Sequence, residues 1–217
     1  MNQPSTDPRL LIRAETSDRI EQRIEKFLLA AIDVFLEKGY RNARLHDVVA
    51  KSGGSLSTLY EAFGDKKGLA KAVMQRSVAS FRENLDALYE SELPPEQALP
   101  QAAERMIDEI LSPARIISHR IVISEGLAEP ELRDWFMEHG VARAERQLAR
   151  YFVREKSAGH LMLDDPELTA NRFYMMVFGG VILHSMIGTI GMDDIPRTKL
   201  EAREAVAIFL DGVLPRR

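Results

Sequence analysis

Side chains able to bind phosphate or the edges of bases are concentrated in one short stretch of the N-terminal third. Ser57 and Thr58 carry short hydroxyl groups that can reach phosphates or base edges, and Tyr60 offers a phenolic O–H to a phosphate. Lys66 and Lys67 follow at the start of a predicted helix, where free backbone N–H groups add to their positive charge. These residue types indicate binding of a polyanion.

Two short helices joined by a tight turn must position these side chains. Val48 and Val49 lie on one face of the first predicted helix, and Ser-Gly-Gly-Ser at 52–55 forms the turn. Leu59 and Phe63 anchor the second predicted helix. This is the helix-turn-helix pattern, in which the second helix enters the major groove of DNA while the first crosses the backbone.

Helix boundaries around this motif can also be predicted. An amphipathic helix runs from Ile20, and Gly39 is its natural end. Ser55 is placed to cap the second helix of the motif. Asp65 can cap a longer helix that reaches about Tyr89.

The remainder of the chain is also predicted to be helical, with no lasting strand alternation. The predicted helices are 96–111, 114–126, 130–157, 165–191 and 197–211. The fold class is therefore all-α, with about nine helices in an N-terminal three-helix head and a larger C-terminal domain. The expected divisions are a flexible arm at 1–19, the head at 20–70 and a ligand-binding and dimerisation domain at 71–217.

Composition excludes several functional classes. The absence of cysteine excludes a disulfide framework, a thiolate zinc site and a cysteine nucleophile. The histidines do not form a closely spaced pair of the kind that binds a metal ion, and the sequence has no nucleophile-elbow motif. No cofactor is therefore expected. The five histidines are His46, His119, His139, His160 and His184.

Charge is distributed unevenly along the chain. The formal net charge is −4, yet residues 1–76 hold 13 basic against 10 acidic side chains, a local balance of +3. A basic head on an acidic body can bind a polyanion locally. Residues 173–192 carry no formal charge and are long enough for a bilayer, but their four glycines and one histidine favour a buried helix, and no membrane partner is expected.

Residues 20–70 resemble the DNA-binding head of the TetR/AcrR family of repressors. The matching residues are Phe35, Lys38-Gly39-Tyr40, Asp47-Val48, Gly53, Ser55, Thr58-Leu59-Tyr60, Phe63 and Lys66. The resemblance implies a homodimer that binds a palindromic double-stranded DNA operator. A cytoplasmic location is expected, which the absence of cysteine fits. By family position, the DNA-facing residues are Ser55, Leu56, Ser57, Thr58, Tyr60, Glu61 and Lys66; Arg44 and Lys67 are added because their charge can reach a phosphate.

The sequence departs from the family pattern in places that affect operator choice. Gly54 stands where valine is usual, and Leu56-Ser57 replace a Lys-Gly pair. Leu56 can contact a thymine methyl group. Arg44 replaces a capping threonine or serine, so Asn42 is expected to cap that helix instead.

The resemblance also implies an effector pocket in the body and a dimer interface on the last two helices. Pocket residues are predicted from their inward positions: Met106, Ile110, Ile117, Ile121, Glu125, Trp135, Phe136, His139, Tyr174 and Phe178. Their apolar and aromatic character favours a small hydrophobic or aromatic effector over a highly charged one. Dimer contacts are predicted at Gly180, His184, Gly188, Val206, Phe209 and Leu210.

A DNA-binding repressor released by its effector is the function predicted. One alternative is a DNA-binding regulator without a small-molecule effector, or an activator. Another is a helical enzyme, and no catalytic residues are assigned. An enclosed apolar cavity in the body would favour the first function, and a filled core would favour a regulator without an effector.

Overall fold

The computed structural model describes the backbone of residues 8–215 and side chains from residue 19 onward. Within that range the fold is entirely helical, as predicted. The helices are α1 Pro8–Asn42, α2 Leu45–Ser52, α3 Leu56–Phe63, α4 Lys66–Glu90, α5 Pro95–Ile110, α6 Pro113–Glu125, α7 Pro130–Phe136, α8 Arg143–Ser157, α9 Pro166–Ile187 and α10 Ile195–Val213. The chain forms two compact units, the first ending at Val73 and the second beginning at Met74.

Helix α1 begins at Pro8, so residues 8–19 are helical rather than a loose arm. Proline suits the first position of a helix, and neither proline nor glycine interrupts the chain again before Gly39. Residues 1–7 of the expected arm lie outside the described part. At Gly39 the backbone leaves helical geometry (φ 74°, ψ 156°), which confirms the predicted end of the regular helix; beyond this kink α1 continues to Asn42.

The core of the first unit is built by α1, α2 and α3. Phe27 and Phe35 are almost completely buried on α1, as are Val48 on α2 and Leu59 on α3. The ring of Phe63 meets that of Phe27 edge to face at 6.3 Å between centroids. These contacts fix α3 on α1 and leave the opposite side of α3 exposed.

An aromatic core holds the second unit together. Phe152 of α8 and Phe173 of α9 are fully buried, and their rings meet at 5.7 Å. Phe209 of α10 packs against both, while α10 also lies along α5. Helix α9 ends four residues before the predicted 191, because Gly188 adopts the left-handed conformation (φ 78°). No helix in the described part is long and apolar enough to cross a membrane.

The predicted single helix at 130–157 is continuous but irregular. A π-helix at Met137–Ala142 joins α7 directly to α8. Counted as one element, this run gives nine α-helices within residues 8–215, the number expected. π-Helices are rare in proteins, and those that do occur often lie at functional sites.

Candidate functional site

Ser55 organises the start of α3. Its side chain accepts a hydrogen bond from the Thr58 backbone N–H at 3.2 Å, as predicted for a capping residue. The same oxygen lies 2.9 Å from the hydroxyl oxygens of both Ser57 and Thr58. Three hydroxyl groups therefore form one hydrogen-bonded cluster at the N-terminus of α3, where the helix dipole favours an anion.

The outward face of α3 combines apolar and polar side chains. Leu56 is 36% exposed and Tyr60 52% exposed, and Ser57 and Glu61 are also exposed. Leu59 lies on the opposite face with no exposed surface. The structure thus brings most of the predicted DNA-facing residues together on one surface, opposite the buried face of α3.

Two consecutive glycines form the turn before α3. Gly53 has φ 70° and Gly54 has φ 107°, a region that side-chain-bearing residues rarely adopt. A Cβ atom on Gly54 would lie 3.4 Å from both the Phe27 ring and the Arg23 guanidinium. Gly54, which departs from the family pattern, therefore has a backbone conformation that glycine adopts readily and other residues rarely adopt.

Helix α2 is capped from within the helix. Arg44 is extended and exposed at the N-cap position, and its backbone N–H donates to the Asp47 carboxylate at 3.1 Å. The Lys38 ammonium, 2.8 Å from Asp47, and this backbone hydrogen bond lower the pKa of that carboxyl. The prediction that Asn42 caps α2 is wrong, because its amide donates to the carbonyl of Lys38, one turn back in α1.

Lys66 has an extensive set of protein partners. Its ammonium donates to the backbone carbonyls of Tyr40, Arg41 and Ala43, at 2.9, 3.1 and 3.2 Å. These carbonyls lie at and just beyond the end of α1, where carbonyls lack helical partners. A phosphate contact by Lys66 stays a prediction, and so does one by the half-buried Lys67.

The predicted effector residues divide into two groups in the second unit. Trp135 is half-buried and stacks on exposed His139 at 4.8 Å, near the surface. The others are buried: Met106, Ile110, Ile117, Ile121, Glu125, Phe136, Tyr174 and Phe178. The structure does not unite both groups around one described cavity. An open groove of about 870 Å³ lies elsewhere, along α8, and is lined by none of them.

A buried polar cluster beside the aromatic residues was missed by sequence reasoning. Arg115 is 5% exposed and His119 7% exposed, both on α6. The Ser118 hydroxyl lies 3.2 Å from that of Ser77 on α4. Burial, and then the charge of Arg115, lowers the pKa of His119 to about 3. The only sequence signal was a charged and polar set at 115, 118 and 119 inside a predicted buried helix.

The predicted dimer residues are also divided. Gly180, His184 and Gly188 are exposed on α9, and His184 Nδ1 lies 2.8 Å from the Thr189 hydroxyl. On α10, Phe209 is half-buried. Val206 and Leu210 are less than a tenth exposed and belong to the protomer's own core, so they have little surface to offer a second copy. No acidic or histidine cluster suitable for a metal ion occurs among the described residues.

Two sequence families match the chain over most of its length. Residues 27–73 match the bacterial regulatory proteins of the tetR family. Residues 97–212 match the C-terminal domain of AefR-like transcriptional repressors. A curated relative, the HTH-type transcriptional activator FasR of Mycolicibacterium smegmatis, is 30% identical over 88 residues. That match covers 41% of this chain and only 40% of FasR.

Solved structures share the fold. A TetR-family transcriptional regulator from Mesorhizobium loti superposes with a TM-score of 0.76 at 22% identity, over 91% of this chain and 99% of that one. SmeT, the repressor of the Stenotrophomonas maltophilia multidrug efflux pump SmeDEF, gives a TM-score of 0.67 at 20% identity, over 88% of this chain and 90% of its own. At these identities the likeness concerns the fold.

Proposed function

The chain belongs to the TetR family of transcriptional regulators, and from that premise we propose that it is a homodimeric repressor, bound to a palindromic operator and released by a small, largely apolar or aromatic effector. The observation that carries this proposal is the exposed face of α3. It pairs a helix N-terminus rich in hydroxyl groups with Leu56 and Tyr60 on the outside. Such a face suits the major groove.

The proposed roles within this face differ. Leu56 and Ser57, at the start of α3, read base edges, because the N-terminal residues of a recognition helix contact bases. Tyr60 and Arg44 contact phosphates, which position the protein without specifying sequence. Asp47 and Ser55 hold the two helices in place through their caps.

Support for a homodimer comes from an exposed apolar stripe on α9. Met176, Leu183 and Ile187 are 44%, 53% and 63% exposed, and Gly180 lies between them on the same face. Positions 176, 180, 183 and 187 follow helical spacing. Exposed apolar patches mark interaction sites, and a two-fold dimer buries the same patch on both copies.

Helix α4 supplies a route for effector control. It carries Lys66 at its start and, three and four turns on, Ser77 and Phe81 beside the buried cluster of α6. An effector bound at that cluster would displace α4 and alter the spacing of the two recognition helices. Those must sit about 34–36 Å apart to enter successive major grooves. Operator affinity and effector affinity are then coupled reciprocally.

A regulator without a small effector is the second candidate, and the small size of the cavity beside Arg115 favours it. The cavity beside Arg115 measures only about 10 Å³, room for one water molecule. Under this alternative the protein acts as an activator or is controlled by a protein partner. The relative FasR is named as an activator.

Selection of genomic DNA fragments by the purified protein tests the proposal. We expect an inverted repeat, bound by a dimer with an affinity that falls as salt rises. The selected fragment then serves to screen small molecules for release. If folded, dimeric protein selects no fragment, both as purified and after unfolding and refolding to remove any bound molecule, the proposal is wrong. An operator that no small molecule releases favours the second candidate.

A further inference from the structure

Arg115 is a cation enclosed in the second unit without a neutralising carboxylate. One of its terminal nitrogens donates to the backbone carbonyl of Ser77 at 2.9 Å, while its Nε has no hydrogen-bond partner. Within residues 19–215, no aspartate or glutamate lies at salt-bridge distance from it; Glu109 favours its charged form only from farther away. Burying a charge without a partner is costly, so this arginine is suited to receive an anion.

Aromatic rings surround the guanidinium. The carbon of the guanidinium lies 4.8 Å from the centre of the Phe81 ring and 5.7 Å from that of Phe136. Tyr174 packs against Phe81, and His119 against Phe136, both edge to face. An anion at Arg115 would therefore lie in a low-dielectric aromatic environment, where a charge-assisted hydrogen bond is strong.

A second polar group beside Arg115 lacks a partner. Nδ1 of His119 is buried and makes no hydrogen bond. Its imidazole is neutral at physiological pH, because burial and the neighbouring Arg115 lower its pKa to about 3. It can offer one neutral hydrogen bond but no second positive charge. Arg82 and Arg143 also line the cavity, but both are exposed. Arg115 is the one buried cation among the described residues that line it, so the buried cluster balances one negative charge, which suits a carboxylate better than a phosphate dianion.

We propose that the effector is an aromatic carboxylate, whose carboxylate pairs with Arg115 and whose ring packs among Phe81, Phe136 and Tyr174. This inference rests on the proposed function, and it names the chemical class of the effector. The small cavity at Arg115 is bordered by Val78 of α4 and Gly140 of the π-helix. Seating a ring there requires these walls to separate, so binding moves α4 and the π-helix apart.

Calorimetric titration of the full-length protein tests this chemistry. The probes are benzoate, salicylate, 2-naphthoate and indole-3-acetate, each paired with its neutral primary amide. We expect at least one acid to bind at least about tenfold more tightly than its amide, the difference that a charge-assisted hydrogen bond supplies. Equal binding of every acid and its amide, or binding of neither, overturns the inference.

Variants of the arginine locate the site. Arg115→Met removes the buried charge at similar length, and we expect it to abolish the preference for the acid while circular dichroism shows a folded protein. Arg115→Lys keeps the charge without the planar fork and is expected to weaken acid binding less. Arg105→Met, an exposed site on α5, is the matched control and should leave the preference intact. A preference that persists in Arg115→Met overturns the assignment.

The two proposals fail in different ways. A protein that selects an operator and is released equally by acids and amides remains an effector-controlled repressor, and only the carboxylate inference falls. A protein that selects no operator but binds acids through Arg115 retains the binding site while losing the repressor function.

Discussion

The ammonium group of Lys66 donates a 2.9 Å hydrogen bond to the backbone carbonyl of Tyr40 and lies 4.6 Å from the centre of the same residue's ring. The Tyr40 ring in turn packs edge to face on Phe35 in the core of the first unit. The first residue of α4 is thereby fixed to the end of α1. This contact gives Lys66 a structural role that does not depend on DNA.

Replacing Lys66 by methionine is expected to destabilise the first unit. The variant loses a charged donor to carbonyls, a type of hydrogen bond worth about 1.5–3 kcal/mol. Urea denaturation should show a loss of this size, whereas Lys71→Met, one turn later in α4, should change the free energy of unfolding little. If Lys66 were instead only a phosphate contact, the free energy of unfolding would be unchanged. The slope of the logarithm of the DNA-binding constant against the logarithm of salt concentration would then become shallower by about one unit.

Removing the Tyr60 hydroxyl should weaken DNA binding without changing sequence preference. In Tyr60→Phe only the proposed phosphate contact is lost, so we expect affinity for specific and non-specific fragments to fall together. Leu56→Ala, in contrast, should alter the preferred base at one operator position, as measured by repeating the fragment selection. Tyr89→Phe in the second unit is the control. A changed base preference in Tyr60→Phe would contradict the division of roles.

Substituting Gly54 by alanine is expected to cost at least about 1 kcal/mol of stability, because the backbone there has φ 107°. Gly212→Ala is the matched comparison. Gly212 is inside α10 with nothing within 4 Å of an added Cβ, so that change should stabilise the protein by up to about 1 kcal/mol. The melting temperatures of both variants test this prediction. If the two substitutions changed the melting temperature equally, the backbone conformation at Gly54 would not require glycine.

Local signals in the sequence predicted the all-helical fold and two of the helix caps. Ser55 and Asp65 act on backbone groups three residues away, and both caps are confirmed. Two local predictions failed, the cap at Asn42 and the loose arm at 8–19. The other failures come from contacts that no local pattern encodes. Lys66 finds its acceptors 23–26 residues earlier in the chain. Arg115 enters the core against the usual preference of arginine for the surface, so composition and periodicity gave no reason to select it.

Acidification should destabilise the second unit through His119. Its pKa is lowered to about 3 in the fold and is about 6.5 when unfolded, so the unfolded chain binds more protons between these values. The contribution of His119 to the free energy of unfolding is therefore fully present above pH 6.5. It falls by about 1.4 kcal/mol per pH unit below that, or about 2 kcal/mol by pH 5. In urea denaturation, His119→Gln should lose this dependence, and His46→Gln, an exposed control, should keep it. Parallel pH profiles for His119→Gln and the unmodified protein would contradict this.

A charge on the apolar stripe of α9 should produce a monomer. Leu183→Glu and Ile187→Glu each place a carboxylate in the proposed interface, where its desolvation opposes association. Sedimentation or light scattering measures the mass directly. Ile123→Glu, at a 69% exposed position on α6, should remain dimeric. If both α9 variants stay dimeric, the interface lies elsewhere.

The π-helix at Met137–Ala142 also determines where this region can change length. Its i→i+5 hydrogen bonds accommodate one residue more than a regular helix would place between α7 and α8. Deleting a single residue within it would restore regular i→i+4 turns and keep Phe136 and Leu148 facing the interior. A one-residue change in length can therefore be absorbed in this segment without turning α7 or α8 away from the core.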